Sequence, residues 1–389
     1  MLPGGTDPLY RAALAAAHER YLRIEVWDDS QRLDTLYDGI LRPPDADPDG
    51  GLVLLDGSAL SADLGSPVSR NLTLVVPLDS YLDDELLAPY GNEIRAWSGI
   101  RLGDGTTPYA WQVFAGKIQD DVDEPDLGTR SIVCADYGQD VLDHQFERPR
   151  NSDAGIPIER EFEHLVLDAL PDALFGVHDL PDVPTRALVW EFDRGAALDE
   201  MLSSAGATWW VLADGRPVAR RYPWSVPAAP VITLTDGEGG VILSAGRSRS
   251  RSSLYNSITA TGERLNGDAA VYATAVDDNP ASPTFVGGKF GIRSKTLRRQ
   301  TPGTSGGAMS AAQAALRTAI TPIERWTWRQ VPDASVELGD IAGLDVNGRT
   351  GIVQCVTGFQ LPLDSISPMT VSGRSQVVSL VAAGQQGVI

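Results

Sequence analysis

EIRAWSGIRLGDGTTPYAWQVFAGKIQDDVDEPDLGTRSIVCADYGQDVLD, residues 93–143, decides how this chain folds. A charged, aromatic strand runs through Gly103-Asp104-Gly105 into a second strand that closes on Phe114-Ala-Gly-Lys-Ile118. After a polar loop, a third strand spans Arg130 to Ala135 and ends in Asp136-Tyr137. Alternating strands joined by tight turns predict an antiparallel sheet or barrel.

The pattern continues on both sides. Upstream, Pro8 to Arg20 is an Ala-rich helix with Asp7 as its N-cap and Pro8 in its first turn. Tyr21 to Trp27 alternates Leu22, Ile24 and Val26 against Arg23 and Glu25, and Leu36–Leu41, Leu52–Leu55 and Asn71–Pro77 are further strands. Downstream the character changes. Ile158 to Leu170 has helical spacing and stops at Pro171, and Gly195 to Ala205 is a second helix. Thr208 to Leu212 and Arg216 to Tyr222 flank Ala213-Asp214-Gly215, a hairpin signal. Gly246 to Ser253 is a basic, serine-rich linker, followed by strands at Leu254–Leu265 and Val271–Val276. Residues 277–308 are a long loop, Ser310 to Ile320 a helix capped by Ser310, and Trp326 to about Leu380 a last β unit.

The expected class is therefore mainly β with α+β: two β units around an α+β lobe. The expected divisions are a helix and first β unit over 1–150, and the lobe over 151–245. A linker, strands, loop and helix follow over 246–325, then the second β unit over 326–389. A chain of 389 residues is too long for one ordinary core, which agrees with several units.

Charge narrows the function. The net formal charge is −20, and residues 1–150 carry 27 acidic against 12 basic side chains, so most of the excess lies in the first β unit. That balance argues against a nucleic-acid binder, which needs Lys and Arg to neutralise phosphate. It suits a soluble surface, or a wall that lets DNA slide past. No 18-residue apolar window or signal pattern is present, so synthesis in the cytosol is expected. Cys134 and Cys355 are isolated in apolar runs and read as small buried hydrophobes.

No catalytic, cofactor-binding or metal-binding signature stands out. Asp45-Ala-Asp47-Pro-Asp49-Gly50, with Asp56 at the twelfth position, matches the spacing of a calcium loop. Pro48, the lack of flanking helices and Asp in place of the bidentate Glu favour a plain acidic turn. Asp120, Asp121, Asp123, Glu124 and Asp126 read as a solvated acidic loop. The four histidines, His18, His144, His164 and His178, show no HExxH or paired metal spacing. Trp209-Trp210 and Trp326-Thr-Trp328 sit in alternating strands, with one ring of each pair expected inside and the other at an edge or partner surface. The Arg-rich runs at 247–251 and 289–299 are expected to meet an acidic protein neighbour.

Several blocks, in order, carry a resemblance. The Ala-Ala-Ala-His18 helix leads into Arg23-Ile-Glu-Val-Trp-Asp28 and Tyr37-Asp38-Gly39. Tyr90-Gly-Asn-Glu-Ile94 through Phe114-Ala-Gly-Lys-Ile118 follows, with Cys134-Ala-Asp136 after it. Then come Leu254-Tyr-Asn256-Ser-Ile-Thr-Ala-Thr-Gly262, Asp277-Asp-Asn-Pro280-Ala-Ser-Pro283-Thr, Gly287-Gly-Lys-Phe-Gly291, the helix around Gln313, and Glu337-Leu-Gly-Asp340. Together they resemble the tail-tip hub (baseplate hub) proteins of siphophages, the minor tail proteins of actinobacteriophages in particular. The resemblance implies two tube-type antiparallel β-barrels per chain and a homotrimer. Its six barrels form a pseudo-sixfold ring joining a sixfold tail tube to a threefold tip and lining the DNA channel. It also implies a place in the virion tail tip. The partners would be a distal tail protein or tube ring, a tape measure protein, tip or receptor-binding proteins, and DNA in transit. No cofactor is expected. The alternatives are a carboxylate-based cell-wall hydrolase of the tail tip, the hub of a contractile injection system, and a glycan binder using the paired tryptophans.

Overall fold

The computed structural model describes residues 2–375 apart from 17, 29–30, 42–52, 81, 102–108, 186, 253, 263–270, 300–304, 321–323 and 365–366. Helix α1 (Pro8–Ala15) is followed by β1 (Glu19–Asp28), β2 (Gln31–Ile40), β3 (Ala59–Asp63), β4 (Arg70–Pro77), the single turn α2 (Asp84–Leu87), β5 (Glu93–Arg101), β6 (Tyr109–Glu124) and β7 (Thr129–Asp136). The middle of the chain forms α3 (Gly138–Asp143), β8 (Arg150–Asn151), α4 (Ile158–Leu167), β9 (Val189–Trp190), α5 (Arg194–Ser204), β10 (Ala207–Val211) and β11 (Pro217–Arg221). The rest comprises β12 (Ile232–Thr235), β13 (Ile242–Arg249), β14 (Ser257–Gly262), β15 (Val271–Val276), β16 (Ser294–Arg299), α6 (Ser305–Ala319), β17 (Glu324–Gln330), β18 (Ile341–Val346), β19 (Arg349–Pro362) and β20 (Met369–Ser375).

The protein is mainly β with an α+β lobe. Strands β5, β6 and β7 form the expected antiparallel meander, Glu93 facing Lys117 and Gly116 facing Asp136. Asp7 caps α1 by accepting the Leu9 N–H at 2.8 Å. Less legible is how the two β units meet. Strand β19 pairs antiparallel with β3, Leu361 opposite Leu60, so both units become one 13-stranded sheet. Its main path runs β13-β17-β20-β19-β3-β4-β7-β6-β5-β1-β2, and among the described residues no ladder joins its two ends. Among the described residues the expected barrels are thus parts of one sheet, not separately closed cylinders. A single core fills it, from Leu22, Ile24 and Phe114 to Trp326, Leu344 and Val371.

A second core belongs to the helices. Phe162 and Leu165 of α4 and Leu198 and Leu202 of α5 pack on Val211 and Ala219 of the β10–β11 hairpin. Neighbouring residues on a strand point to opposite faces, and this hairpin uses both. Trp210 enters the large β core and Trp209 the helical one. A third, small core joins Ile258 and Ala260 of β14 and Ala275 of β15 to Ala312 and Leu316 of α6.

Four local expectations are corrected. Residues 246–249, expected in a linker, belong to β13 and pair with β17, with Arg249 bonded to Glu324 at 2.6 Å. Asp120, Asp121, Asp123 and Glu124 lie in β6 rather than a loop. A bulge between Ile118 and Asp120 resets the register, and the strand stays paired with β7 to Glu124–Thr129. Charge in that stretch marked exposure, and the paired backbone underneath was invisible to composition. Within 277–308, Ser294–Arg299 is a strand parallel to β14. Helix α6 starts at Ser305, so Ser310 is internal, its hydroxyl donating to the Gly306 carbonyl at 3.1 Å. Burial of Ala308, Ala312 and Leu316 at four-residue spacing outweighs the poor helix propensity of Gly306 and Gly307.

Candidate functional site

The surfaces offered by this fold are the two open sheet edges and the acidic end of the β6–β7 hairpin. Edge β2 is exposed over Gln31 to Asp34 and carries Asp34 and Asp38; edge β13 carries Arg247 and Arg249. Among the described residues no strand pairs with the outer side of either edge, which makes each a template for strand addition, although Asn347 donates to the Ala245 carbonyl of β13 at 3.1 Å. At the hairpin, Asp120, Asp123, Glu124 and Asp126 are exposed. Arg130 is held inside the cluster, its Nε 2.7 Å from Asp121 and its Nη1 2.8 Å from Asp84. Hydrogen bonds donated to Asp121 and Asp84 keep the Arg130 guanidinium firmly charged. Val122 and Leu127 remain exposed at the same end.

The outer face of β1 and β5 carries a ladder of Arg and Trp. Arg95 lies 4.1 Å from the centroid of Trp27, and Arg23 lies 5.1 Å from that of Trp97. Beneath them Glu25 is only 1% exposed, although alternation had placed it towards solvent. Burial opposes its charge, but hydrogen bonds from Arg23, Arg32 and the Trp27 indole N–H (2.9 Å) hold its carboxyl below the usual range. The face is charge-paired along its length.

Buried polar nodes fix these surfaces relative to one another. Asp136 accepts from Ser69 Oγ at 2.6 Å and from the backbone N–H groups of Arg70 and Gly138 at 2.7 and 2.9 Å. Burial nevertheless pushes its carboxyl up to about 6. Asp333 accepts from Tyr10 Oη at 2.8 Å and Arg11 Nη1 at 2.5 Å, tying the first helix to the second β unit. In the lobe, fully buried Arg194 donates to the carbonyls of His144 and Leu165 and to Asp168 Oδ2 at 2.7 Å.

The Arg194 bond holds the Asp168 carboxyl below its ordinary range. A carboxylate depressed in the folded state stabilises above its unfolded pKa and loses that contribution as pH falls through the folded value. Asp168 is 48% exposed, so water partly replaces it. Asp168→Ala is expected to cost about 1–2 kcal/mol near neutral pH. In urea unfolding the gap to wild type should close between about pH 5 and pH 2; a gap independent of pH would contradict the ion pair.

Among the described residues, those singled out for chemistry from the sequence do not converge on one site. Asp45, Asp47 and Asp49 lie outside the described residues, and Asp56 is an exposed turn residue. Both cysteines are buried and free, and burial pushes the Cys355 thiol up to about 12 and the Cys134 thiol higher. Trp209, Trp210, Trp326 and Trp328 are all at most 6% exposed, so neither pair offers a stacking surface. This differs from the expectation that one ring of each pair would cover an edge. Trp326 and Trp328 share one face of β17, where their indole N–H groups bond Glu324 and Gln330 at 2.9 and 2.7 Å.

A cleft of about 360 Å³ lies between the turn at Leu64–Pro67 and α5, bordered by Asp199, Glu200, Trp209 and Tyr222. Burial pushes the Asp199 carboxyl above its usual range. Its acidic neighbour Glu200 is adjacent on the helix and so diverges from it. The lining contains no His, Cys, Lys or Arg, and no opposed carboxylate pair of the kind glycoside hydrolysis uses.

Glu159, Glu163 and His178 also gather, their ligand atoms within 4.8 Å of one another. His178 Nδ1 accepts the Ala219 N–H at 3.0 Å, so the neutral ring carries its proton on Nε2. With its proton on Nε2, 3.8 Å from Glu163, the ring offers a metal no lone pair on that side.

No protein-family model matches this chain, and no curated protein does. Solved structures do. A tail protein from Neisseria meningitidis MC58 aligns with a TM-score of 0.62 at 14% identity, covering 91% of this chain and 95% of that one. The 43 kDa tail protein of prophage MuSo2 from Shewanella oneidensis gives 0.59 at 12%, covering 92% and 98%. The prophage tail protein gp18 from Listeria monocytogenes EGD-e gives 0.53 at 12%, covering 93% and 96%. At such identities the likeness is one of fold, and it runs over nearly the full length of each chain.

Proposed function

We propose that this chain is a structural hub of a phage tail tip. It works without catalysis, as a homotrimer whose three copies supply six wall segments around a passage for DNA. The observation that carries the reading is the 13-stranded sheet with two free ends, in a fold shared with phage tail proteins. A sheet ending in open strands needs its edges covered, and head-to-tail pairing in a closed ring covers every one. The basic β13 edge and the Asp34 and Asp38 positions of β2 complement one another for that pairing. In this reading residues 1–150 and 326–389 supply the two wall segments, 151–245 the lobe, and 246–325 the connection between lobe and second wall segment. The acidic β6–β7 hairpin faces the passage or its rim, where carboxylates repel phosphate. Tube, tape measure and tip proteins are the partners proposed for the remaining faces, in a virion assembled in the host cytoplasm.

Native mass spectrometry of the full chain at high concentration tests the ring. A threefold species is expected, and the Arg247→Glu/Arg249→Glu variant should return it to monomer. A trimer indifferent to that variant removes the edge pairing, and a wild-type chain that stays monomeric removes the self-assembling ring.

A further inference from the structure

Helix α4 carries a second cluster, on its Glu161-x-x-His164 spacing, where residues three apart share a face. Asp153, just after β8, completes it: one carboxylate oxygen from each acid and one imidazole nitrogen lie within 4.8 Å of one another. His164 Nδ1 is 3.4 Å from Asp153 Oδ2. Two ligands about 2.1 Å from one ion at a tetrahedral angle stand about 3.4 Å apart.

The independent observation is Glu161. The residue is 0% exposed, and its Oε2 has no hydrogen-bond partner, while Oε1 accepts only the long Asp153 N–H bond at 3.3 Å. The nearby cation does not satisfy it, because Arg150 points its Nη1 at Asp168, 3.5 Å away. A buried carboxylate oxygen without a donor costs free energy unless a proton or a cation is supplied. Next to a second carboxylate and an imidazole, a cation answers all three groups together.

We propose that Asp153, Glu161 and His164 bind one divalent first-row transition ion, of which Zn²⁺ is the natural probe. The imidazole ligand selects against Ca²⁺ and Mg²⁺, which prefer oxygen alone. Three protein ligands leave a coordination position for water on the side where Asp153 and His164 are about half exposed. The ion pins the segment entering the lobe onto α4. It acts as a staple for a lobe whose helical core is small, independently of the ring reading above. The histidine spacing that the chain lacks in HExxH form is here supplied by one His and two acids, with Asp153 joined only by the fold.

Isothermal titration of Zn²⁺ into the full chain should show one site per chain at micromolar concentration, with Ca²⁺ giving no heat in the same range. Because His164 is half exposed, His164→Ala should weaken Zn²⁺ binding at least tenfold and leave the metal-free melting midpoint nearly unchanged. Glu161→Gln should raise that midpoint, by removing a buried unpaired charge, and abolish the further rise that Zn²⁺ gives wild type. Absence of Zn²⁺ binding, equal binding by wild type and His164→Ala, or binding of Ca²⁺ in preference to Zn²⁺ would each overturn the site. Should Glu161→Gln fail to fold, the His164→Ala comparison decides alone.

Discussion

Glu337→Ala should lower the unfolding free energy of this chain by about 3–5 kcal/mol, because it strands a buried cation. Arg70 occupies an inward position of β4, in register with Leu72, Leu74 and Val76, and is 1% exposed. Its guanidinium bonds Glu337 and the carbonyls of Val113 (3.2 Å) and Val211 (3.3 Å), and lies over the Phe359 ring. One side chain of the first β unit thus holds the second β unit and the lobe hairpin. Burial already pushes Arg70 down to about 10, opposed by the nearby charges of Asp136 and Asp214, and Glu337 is the carboxylate it bonds directly. Urea unfolding reads the loss. Glu337→Gln, which keeps an acceptor and removes the charge, should cost about half as much, and an Arg70→Met/Glu337→Leu double variant should recover most of it. An alanine variant within about 0.5 kcal/mol of wild type would show that the pair does not hold the units together.

Gly116→Ala is expected to cost about 3 kcal/mol, at the upper end for overpacking. Gly116 faces Ile94 on one side and Asp136 on the other, with β6 paired between β5 and β7. A Cβ there would overlap the Ala135 carbonyl and stand 2.8 Å from the Asp136 Cα, so backbone rather than a flexible side chain must move. The movement reaches the Asp136 node that holds Ser69, Arg70 and Gly138. Gly128→Ala is the contrast: nothing lies within 4 Å, and only its φ of +67° is strained. That variant should lose about 1 kcal/mol. Thermal unfolding of the two side by side separates steric overlap from backbone strain; equal losses would refute the close-approach argument.

Much of this architecture was legible residue by residue. The Asp7 cap, helices α4 and α5, the Asp214-Gly215 hairpin and the β5–β7 meander follow from local spacing and turn chemistry, which act within a few residues. The isolated cysteines read correctly as buried for the same reason. Glu25 was misplaced because alternation assigns a side chain to a face and says nothing of what covers it. Here Arg23, Arg32 and Trp27 close over the carboxylate. Asp153 could not be joined to Glu161 and His164 from spacing, since the intervening turn sets their approach.

By itself the sequence determined the mainly β character, the helical lobe between two β units and the acidic bias of the first unit, because hydrophobic period and charge are properties of the local chain. Only the tertiary structure decided that β19 lies against β3, nearly three hundred residues earlier, making one sheet with two open edges. It alone buried Arg70 against Glu337 and set Trp209 and Trp210 into different cores. Strand pairing is a contact between backbones that carry the same groups at every residue. Where no short turn joins two strands, as with β3 and β19, the partner is therefore chosen by the packing of the whole molecule.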